Sequence, residues 1–197
     1  RERPPAALGD RLVAEQVDGL LVSSGANIRY LTGFSGSSAL LIVTHGERVL
    51  ITDYRYETQA AQEIGPTARV VIESQSLWNG LWQHLGALAS VRAVGFESAH
   101  LVHRDFQRLL ESGSRWQWRP TIGIVEALRE GKDADEMALI REAVECGGRA
   151  LRQTLDRIKV GMSELAIAGI LESELRSAGS DGFAFPSIVA TGPNAAR

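Results

Sequence analysis

The sequence predicts an α/β protein in which a mixed β-sheet flanked by helices comes first and a second segment with a different pattern follows. Three features support this fold class. Two β-rich runs surround His45-Gly46 in "SALLIVTHGERVLITD", a pattern typical of a hairpin. Strand and helix patterns then alternate up to about residue 125, which implies a mixed sheet covered by helices. Beyond that point two helical patterns follow each other without a strand between them.

The first elements are a helix, a buried strand and the hairpin. Apolar residues recur at helical spacing from Leu8, and Gly19 is the predicted stop of this helix. The short apolar run "GLLVSS" predicts a buried strand. After the hairpin, Asp53 is placed to cap the next helix, with Arg55 as a local ion-pair partner.

The alternating region completes the predicted sheet. Strands are predicted at "ARVVIE", "VRAVGFE" and "RWQWRP", the last of them an edge strand ended by Pro120. Ser76 is placed to cap a helix with a leucine stripe, and "HRDFQRLLESG" predicts a further helix. Four tryptophans are predicted as core or interface aromatics, namely Trp78, Trp82, Trp116 and Trp118.

The second segment is predicted to hold two amphipathic helices, at about 133–158 and 163–178. Asp133 and Glu136 form a capping pair for the first, and Ser163 can cap the second. One face of the first helix is apolar, through Met137, Ile140, Val144, Leu151, Leu155 and Ile158. We therefore place a domain boundary near Gly131, giving domains at 1–130 and 131–197.

A terminal strand is predicted at Ile188, Val189 and Ala190, leading into a turn at Thr191–Asn194. Two helices and one strand are too few to bury both helical faces. The second domain is therefore expected to be incomplete, and a partner chain or a dimer is expected to cover the apolar faces.

Composition narrows the possible partners. The net charge of −3 gives no basic surplus, so a nucleic-acid or anionic-membrane partner is not expected. No apolar run approaches the roughly 20 residues that a membrane span needs, and no signal peptide is visible. The single Cys146 is expected to be a small structural residue, and it fits a reducing compartment such as the cytoplasm.

The residues themselves do not indicate a complete active site. His100 and His103 lie at a strand-to-helix junction without an acidic partner at a fixed offset, which favours solvated turn residues over metal ligands. The stretch "GFSGSSA" matches no phosphate-binding motif, and no nucleophile elbow surrounds its serines, Ser35, Ser37 and Ser38. A flexible turn that leads into the next strand is expected there.

Five stretches in order resemble the aminopeptidase P, prolidase and creatinase family of metallopeptidases. They are "NIRYLTGFSGSSALLIV", "VLITDYRYETQA", "ALREGKDADEMALIREAVECGGRAL", "VGMSELAIAGILESELRSAG" and "FAFPSIVATGPNAA". The resemblance implies a small N-terminal α/β domain followed by the first helices and strand of an α+β catalytic domain with the "pita-bread" fold. It also implies two divalent metal ions, often manganese, held by two Asp, one His and two Glu in the intact protein.

The resemblance carries few functional residues over to this chain. In relatives, the segment like "IVATGPNAA" runs into a Pro-His pair and then to the metal ligands, so the resemblance implies that no catalytic residue and no metal ligand lies before Arg197. Phe185 and Ile188 fall where relatives line the apolar substrate pocket beside the metals. The alternative, that both are ordinary core residues of a strand, stays open.

The function implied is that of a hydrolase, an Xaa-Pro aminopeptidase or dipeptidase that cleaves the bond before proline with a metal-activated water. That tertiary amide lacks an N–H, so peptidases that hold an extended backbone by its hydrogen bonds fit it poorly. The expected partners are proline-containing peptides, the remaining catalytic segment and a second subunit in a homodimer. Two alternatives remain open: a creatinase-like amidinohydrolase, and a non-catalytic module that acts in assembly.

Overall fold

The computed structural model describes residues 5–196 of the 197-residue chain. These residues form two compact units, one that extends to Gly131 and one that begins at Lys132. We call them the N-terminal unit and the C-terminal unit and describe each by itself.

The described part of the N-terminal unit is a six-stranded sheet with helices on both faces. The strands are β1 (Gly19–Val22), β2 (Ala39–Thr44), β3 (Arg48–Asp53), β4 (Arg69–Glu73), β5 (Ala93–Glu97) and β6 (Gln117–Thr121). The helices are α1 (Pro5–Ala14), α2 (Gly25–Thr32), α3 (Glu57–Glu63), α4 (Leu77–Ala87), α5 (His103–Glu111) and α6 (Ile124–Glu130), and a short 3₁₀ turn at Tyr54–Tyr56 precedes α3.

The strand order is β4-β3-β2-β1-β5-β6. Strand β2 is antiparallel to β1 and β3, and every other neighbouring pair is parallel. The predicted hairpin is present, with Thr44 N donating to Glu47 O across its turn at 2.9 Å. The mixed α/β fold class is confirmed.

Alternating side chains of the central strands build a core on each face of the sheet. On one face Leu20, Leu41 and Leu50 join Phe34 of the loop after α2. On the other face Leu21, Ile42 and Ile51 join Leu81, Leu85 and Leu109 of α4 and α5. Burying each such side chain contributes about 1.5–3 kcal/mol.

The four tryptophans belong to the second of these cores. Trp82 is at their centre, with its ring centroid 5.8 Å from those of Trp78 and Trp116 and 6.0 Å from that of Trp118. Trp116 is buried and the other three are half-buried. Their role in the described structure is therefore core packing.

The first helix is shorter than the sequence pattern predicts. It ends at Ala14, and Gly19 is the first residue of β1 rather than a helix stop. A Cβ at Gly19 would lie 2.9 Å from the carbonyl oxygen of Val43 on β2. The glycine is needed for close approach of two strands, which local sequence spacing does not reveal.

Pro120 does not end β6 as predicted, because the strand continues to Thr121. Gln117 N donates inward to Arg92 O, and successive N–H groups of a strand alternate in direction. The backbone nitrogen of Pro120 therefore points away from β5. Its missing N–H removes no hydrogen bond of the sheet.

The described part of the C-terminal unit consists of α7 (Ala134–Arg157), α8 (Glu164–Ser177) and a 3₁₀ turn at Gly192–Ala196. The predicted helix starts are confirmed. Asp133 and Glu136 form a reciprocal capping box, and the Ser163 side chain accepts a hydrogen bond from Ala166 N. No helix within residues 5–196 combines the length and the apolar character that a membrane crossing requires.

The predicted terminal strand is wrong. Residues 186–191 have no regular secondary structure. A strand is stable only when a neighbour pairs with it, and no described strand lies beside this segment.

The apolar face of α7 is open in the described chain. Helix α7 packs along α8, and Ala150 and Thr154 are its buried residues. The predicted stripe is exposed instead, with fractional exposures from 37% to 69% at Met137, Ile140, Val144, Leu151, Leu155 and Ile158. An exposed stripe of this size is typical of a surface that packs against further protein.

A buried carboxylate holds the start of α2. Glu97, at the end of β5, accepts hydrogen bonds from Ser23 N and Ser24 N at 2.7 and 2.8 Å. Its other oxygen accepts from Asn27 Nδ2 at 2.6 Å. Ser24, the residue before the helix, makes no side-chain capping bond of its own. The carboxylate therefore fixes, from the neighbouring strand β5, the two residues that lead into α2.

Asn27 extends this contact to α6. Its Nδ2 also donates to Glu126 Oε1 at 2.6 Å, and its Oδ1 accepts from Arg129 Nη1 at 2.9 Å. His100 Nε2 lies 2.9 Å from the same oxygen of Glu126. We call Glu97, Asn27, Glu126, Arg129 and His100 the Glu97 cluster. It joins β5, α2 and α6.

We expect Asn27→Ala to lower the free energy of unfolding of the N-terminal unit by about 3 kcal/mol. Asn27 is fully buried, and its loss leaves two carboxylates and a guanidinium without the amide between them. Urea denaturation measures the change. The matched control is Asn79→Ala, an exposed position in α4. Equal losses in the two variants would contradict a structural role for the cluster.

Candidate functional site

The C-terminal unit contains an open cleft of about 670 Å³ between α7, α8 and the segment that follows α8. Most of its walls are apolar, through Leu139, Leu171, Leu175 and Phe183. Phe185 and Ile188 also line it. The structure therefore brings the two predicted substrate-pocket residues to one cavity.

One end of the segment leaves α8 through a glycine turn. Gly179 has a φ of 103°, a conformation that favours glycine, and Ser180 N donates back to Leu175 O at 3.0 Å. Two side chains of α7 contact the carbonyl of Ala178, with Cys146 Sγ at 3.5 Å and Arg149 Nη2 at 3.2 Å. Cys146 is half-buried and also lines the cleft, and its structural role stays a prediction.

The other end of the segment is held at the start of the same helix. Glu164 Oε1, in the first turn of α8, accepts from Thr191 N at 2.7 Å. The Asn194 amide donates to both oxygens of this carboxylate, at 3.2 and 3.1 Å. Residues 180–191, which we call the return segment, therefore run from the end of α8 back to its beginning.

Phe185 and Ile188 lie on the return segment between these two attachments. They are 67% and 83% exposed, so each presents most of its apolar surface to the cleft opening or to solvent. Phe183 and Val189 of the same segment are half-buried, and polar contacts hold the segment at its two ends. A segment held in this way presents apolar groups without burying them.

Other candidate residues identified from the sequence are not brought to this cleft. Asp53 caps the turn after β3, accepting from Arg55 N, and its ion pair with Arg55 at 2.8 Å holds the pKa of the carboxyl well below its usual range. His103 begins α5. His100 is not only a solvated turn residue, because Glu126 pairs with it from 26 positions along the chain.

The loop after α2, predicted as a flexible turn, is tied down by partners that the sequence does not reveal. Ser35 N and Oγ donate to Glu63 at 2.8 and 2.6 Å, and the hydroxyls of Ser37 and Tyr56 lie 2.7 Å apart. The hydrogen bonds from Ser35 lower the pKa of Glu63. These contacts hold the loop through the hydroxyls of Ser35 and Ser37.

Two family models match the chain in succession. The Creatinase/Prolidase N-terminal domain model matches residues 6–130, and the Metallopeptidase family M24 model matches residues 138–197. A Bacillus subtilis protein named "Uncharacterized peptidase YqhT" is 31% identical over 176 residues, which is 89% of this chain and 49% of that protein. The chain spans about half the length of the curated relatives it matches.

Solved structures agree on the fold. An Xaa-Pro dipeptidase from Bacillus anthracis superposes with a TM-score of 0.85 at 24% identity, covering 90% of this chain and 49% of that one. An X-Pro aminopeptidase from Thermotoga maritima gives a TM-score of 0.77 at 27% identity, covering 92% and 51%. The chain therefore belongs to the aminopeptidase P, prolidase and creatinase family of M24 metallopeptidases.

Proposed function

We propose that this chain is part of an Xaa-Pro peptidase, an enzyme that hydrolyses the peptide bond before proline. The observation that carries the proposal is the order of the two family matches along one chain, an N-terminal creatinase/prolidase domain followed by M24 peptidase sequence. Similar proteins named as an Xaa-Pro dipeptidase and an X-Pro aminopeptidase support it. A cytoplasmic setting is part of the proposal, and the single Cys146 suits it.

Membership of the M24 metallopeptidases implies divalent metal ions. Within residues 5–196 no group of three or more His, Cys, Asp or Glu side chains is arranged to hold one. These residues do not fit a metal centre. We propose that the ligands of two ions, with manganese as the candidate metal, come from other parts of a longer polypeptide.

The contribution we propose for this chain is substrate binding through the cleft of the C-terminal unit. A peptide bond before proline has no N–H, and the proline ring is apolar, so recognition depends on apolar contact more than on backbone hydrogen bonds. Phe185 and Ile188 offer such contact from the return segment. Their exposure leaves the surface free for a ligand.

The N-terminal unit, in this proposal, supplies subunit contacts in a homodimer. Its polar residues are committed to structural contacts such as the Glu97 cluster and the Ser35–Glu63 pair. Proline-containing peptides and a second subunit are the proposed partners.

We expect the 197-residue chain alone to release no proline from Xaa-Pro dipeptides, with or without added Mn²⁺. The described residues contain no cluster of side chains suited to a divalent ion. A colorimetric proline assay measures this, with a longer polypeptide that includes the chain as the positive control. Manganese-dependent turnover that increases in proportion to the concentration of the purified chain would contradict the expectation.

We expect Phe185→Ala and Ile188→Ala, made in the longer polypeptide, to raise KM for Xaa-Pro substrates about tenfold each. The lost contacts are apolar and act equally on substrate and transition state, so kcat should change little. Steady-state kinetics measures both constants. Val160→Ala, a fully exposed position between α7 and α8, is the control. Unchanged KM in both cleft variants would remove these residues from the substrate site.

We expect the isolated chain to associate or to bind further protein through the apolar face of α7. Leaving this face in water costs on the order of 1.5–3 kcal/mol for each side chain relative to burial. Light scattering with native mass spectrometry gives the oligomeric state. The variant Val144→Lys, which places a charge on the apolar face of α7, should reduce the association. A 21.3 kDa monomer with residues 134–157 protected from hydrogen exchange would contradict this expectation.

A further inference from the structure

His84 is a buried titratable residue that the proposed function does not use. It lies in α4 and is 9% exposed. Two charged side chains contact it from different elements. Arg69 reaches it from the first residue of β4, and Glu47 reaches it from the turn between β2 and β3. Arg69 and Glu47 are themselves 3.7 Å apart, so the three side chains form a triangle.

The chemistry of Arg69 determines which nitrogen of His84 carries the proton. Arg69 Nη2 lies 2.8 Å from His84 Nδ1. A guanidinium can only donate hydrogen bonds, so Nδ1 must offer its lone pair. The ring is therefore neutral, with its proton on Nε2. That nitrogen faces Glu47 Oε1 at 3.4 Å but has no hydrogen-bond partner among the described residues.

We propose that Glu47, His84 and Arg69 form a pH-sensitive switch that controls how firmly α4 is held against the β4 edge of the sheet. A proton taken from solvent can bind only at Nδ1, because Nε2 already carries one. The resulting imidazolium has two N–H groups and no acceptor. The bond from Arg69 is then lost, the ring keeps Glu47 as a counter-ion, and Arg69 is displaced toward solvent.

The surrounding charges set the direction of the pH response. Burial lowers the pKa of His84, Glu47 acts against this, and Arg69 lowers it further, with a net pKa below the usual value of 6.5. Among the elements packed on α4, Glu73 of β4 also lies nearby, beside Gly80 one turn before His84. The neutral ring stabilises the folded state above the unfolded pKa. That contribution is lost as the pH falls from about 6.5 through the lower folded value.

Ring-nitrogen NMR of the 197-residue chain tests the proposal directly. The chain has four histidines, and the signal of His84 is the one that disappears in His84→Gln. Should this variant not fold, replacing the three exposed histidines in turn leaves His84 as the remaining signal. We expect the Nε2–H tautomer at pH 7.5 and a midpoint below 6.5. An Nδ1–H tautomer, or a midpoint at or above 6.5, would overturn the proposal.

Two further substitutions separate a switch from simple burial. Arg69→Met should raise the midpoint of His84 because a neighbouring like charge is removed. Glu47→Gln should lower it. His45→Gln, an exposed histidine at the hairpin tip, is the matched control and should leave it unchanged. A midpoint that does not respond to Arg69→Met would mean that Arg69 is not part of a switch.

Hydrogen exchange connects the titration to α4. After correction for intrinsic rates, the amides of residues 77–87 in α4 should exchange several-fold faster at pH 5.5 than at pH 7.5. The control is α2, which is remote from His84 in sequence and lies on the other face of the sheet. The corrected exchange rates of its amides should be the same at the two pH values. Equal behaviour of the two helices would contradict a local switch.

Discussion

The N-terminal unit depends on one buried carboxylate. Isolating the charge of Glu97 from water would cost several kcal/mol without hydrogen bonds, so its four donors determine where the surrounding backbone can lie. Two of these donors are the N–H groups of Ser23 and Ser24, the residues between β1 and α2, so the connection from the strand into the helix has one favourable position. Asn27 also bonds to Glu126 and Arg129, and so fixes the position of α6, the last helix before Gly131.

Interactions between near neighbours could be predicted from the sequence. The hairpin, the Ser76 cap and the capping box of Asp133 and Glu136 each involve residues a few positions apart, and all are present. Helix α2 was not predicted, because its acceptor comes from Glu97, which is 73 positions from Ser24. The terminal strand was predicted and is absent, because an apolar run becomes a strand only beside a partner.

The candidate site shows the same limit. Phe185 and Ile188 were identified through family resemblance, since nothing in their spacing distinguishes a pocket residue from a core residue. The attachment of the return segment to Glu164 joins residues 27 and 30 positions apart, beyond the range of local patterns. Attachment of the return segment at both ends would favour the substrate binding that we propose for this cleft. A loop that is already ordered loses less conformational entropy when a ligand binds.

The outer edge of the sheet at β6 bears on how the protein avoids unwanted association. An unpaired edge strand offers a row of donors and acceptors to any extended chain that meets it. At position 120 that row is interrupted, since the outward-facing residue is a proline and carries no N–H. A foreign strand that docked along β6 would have one carbonyl without a hydrogen-bond donor, and the pyrrolidine ring would lie in the middle of the contact. Pro120 disturbs no hydrogen bond inside the sheet, and it protects this edge against amyloid-like growth.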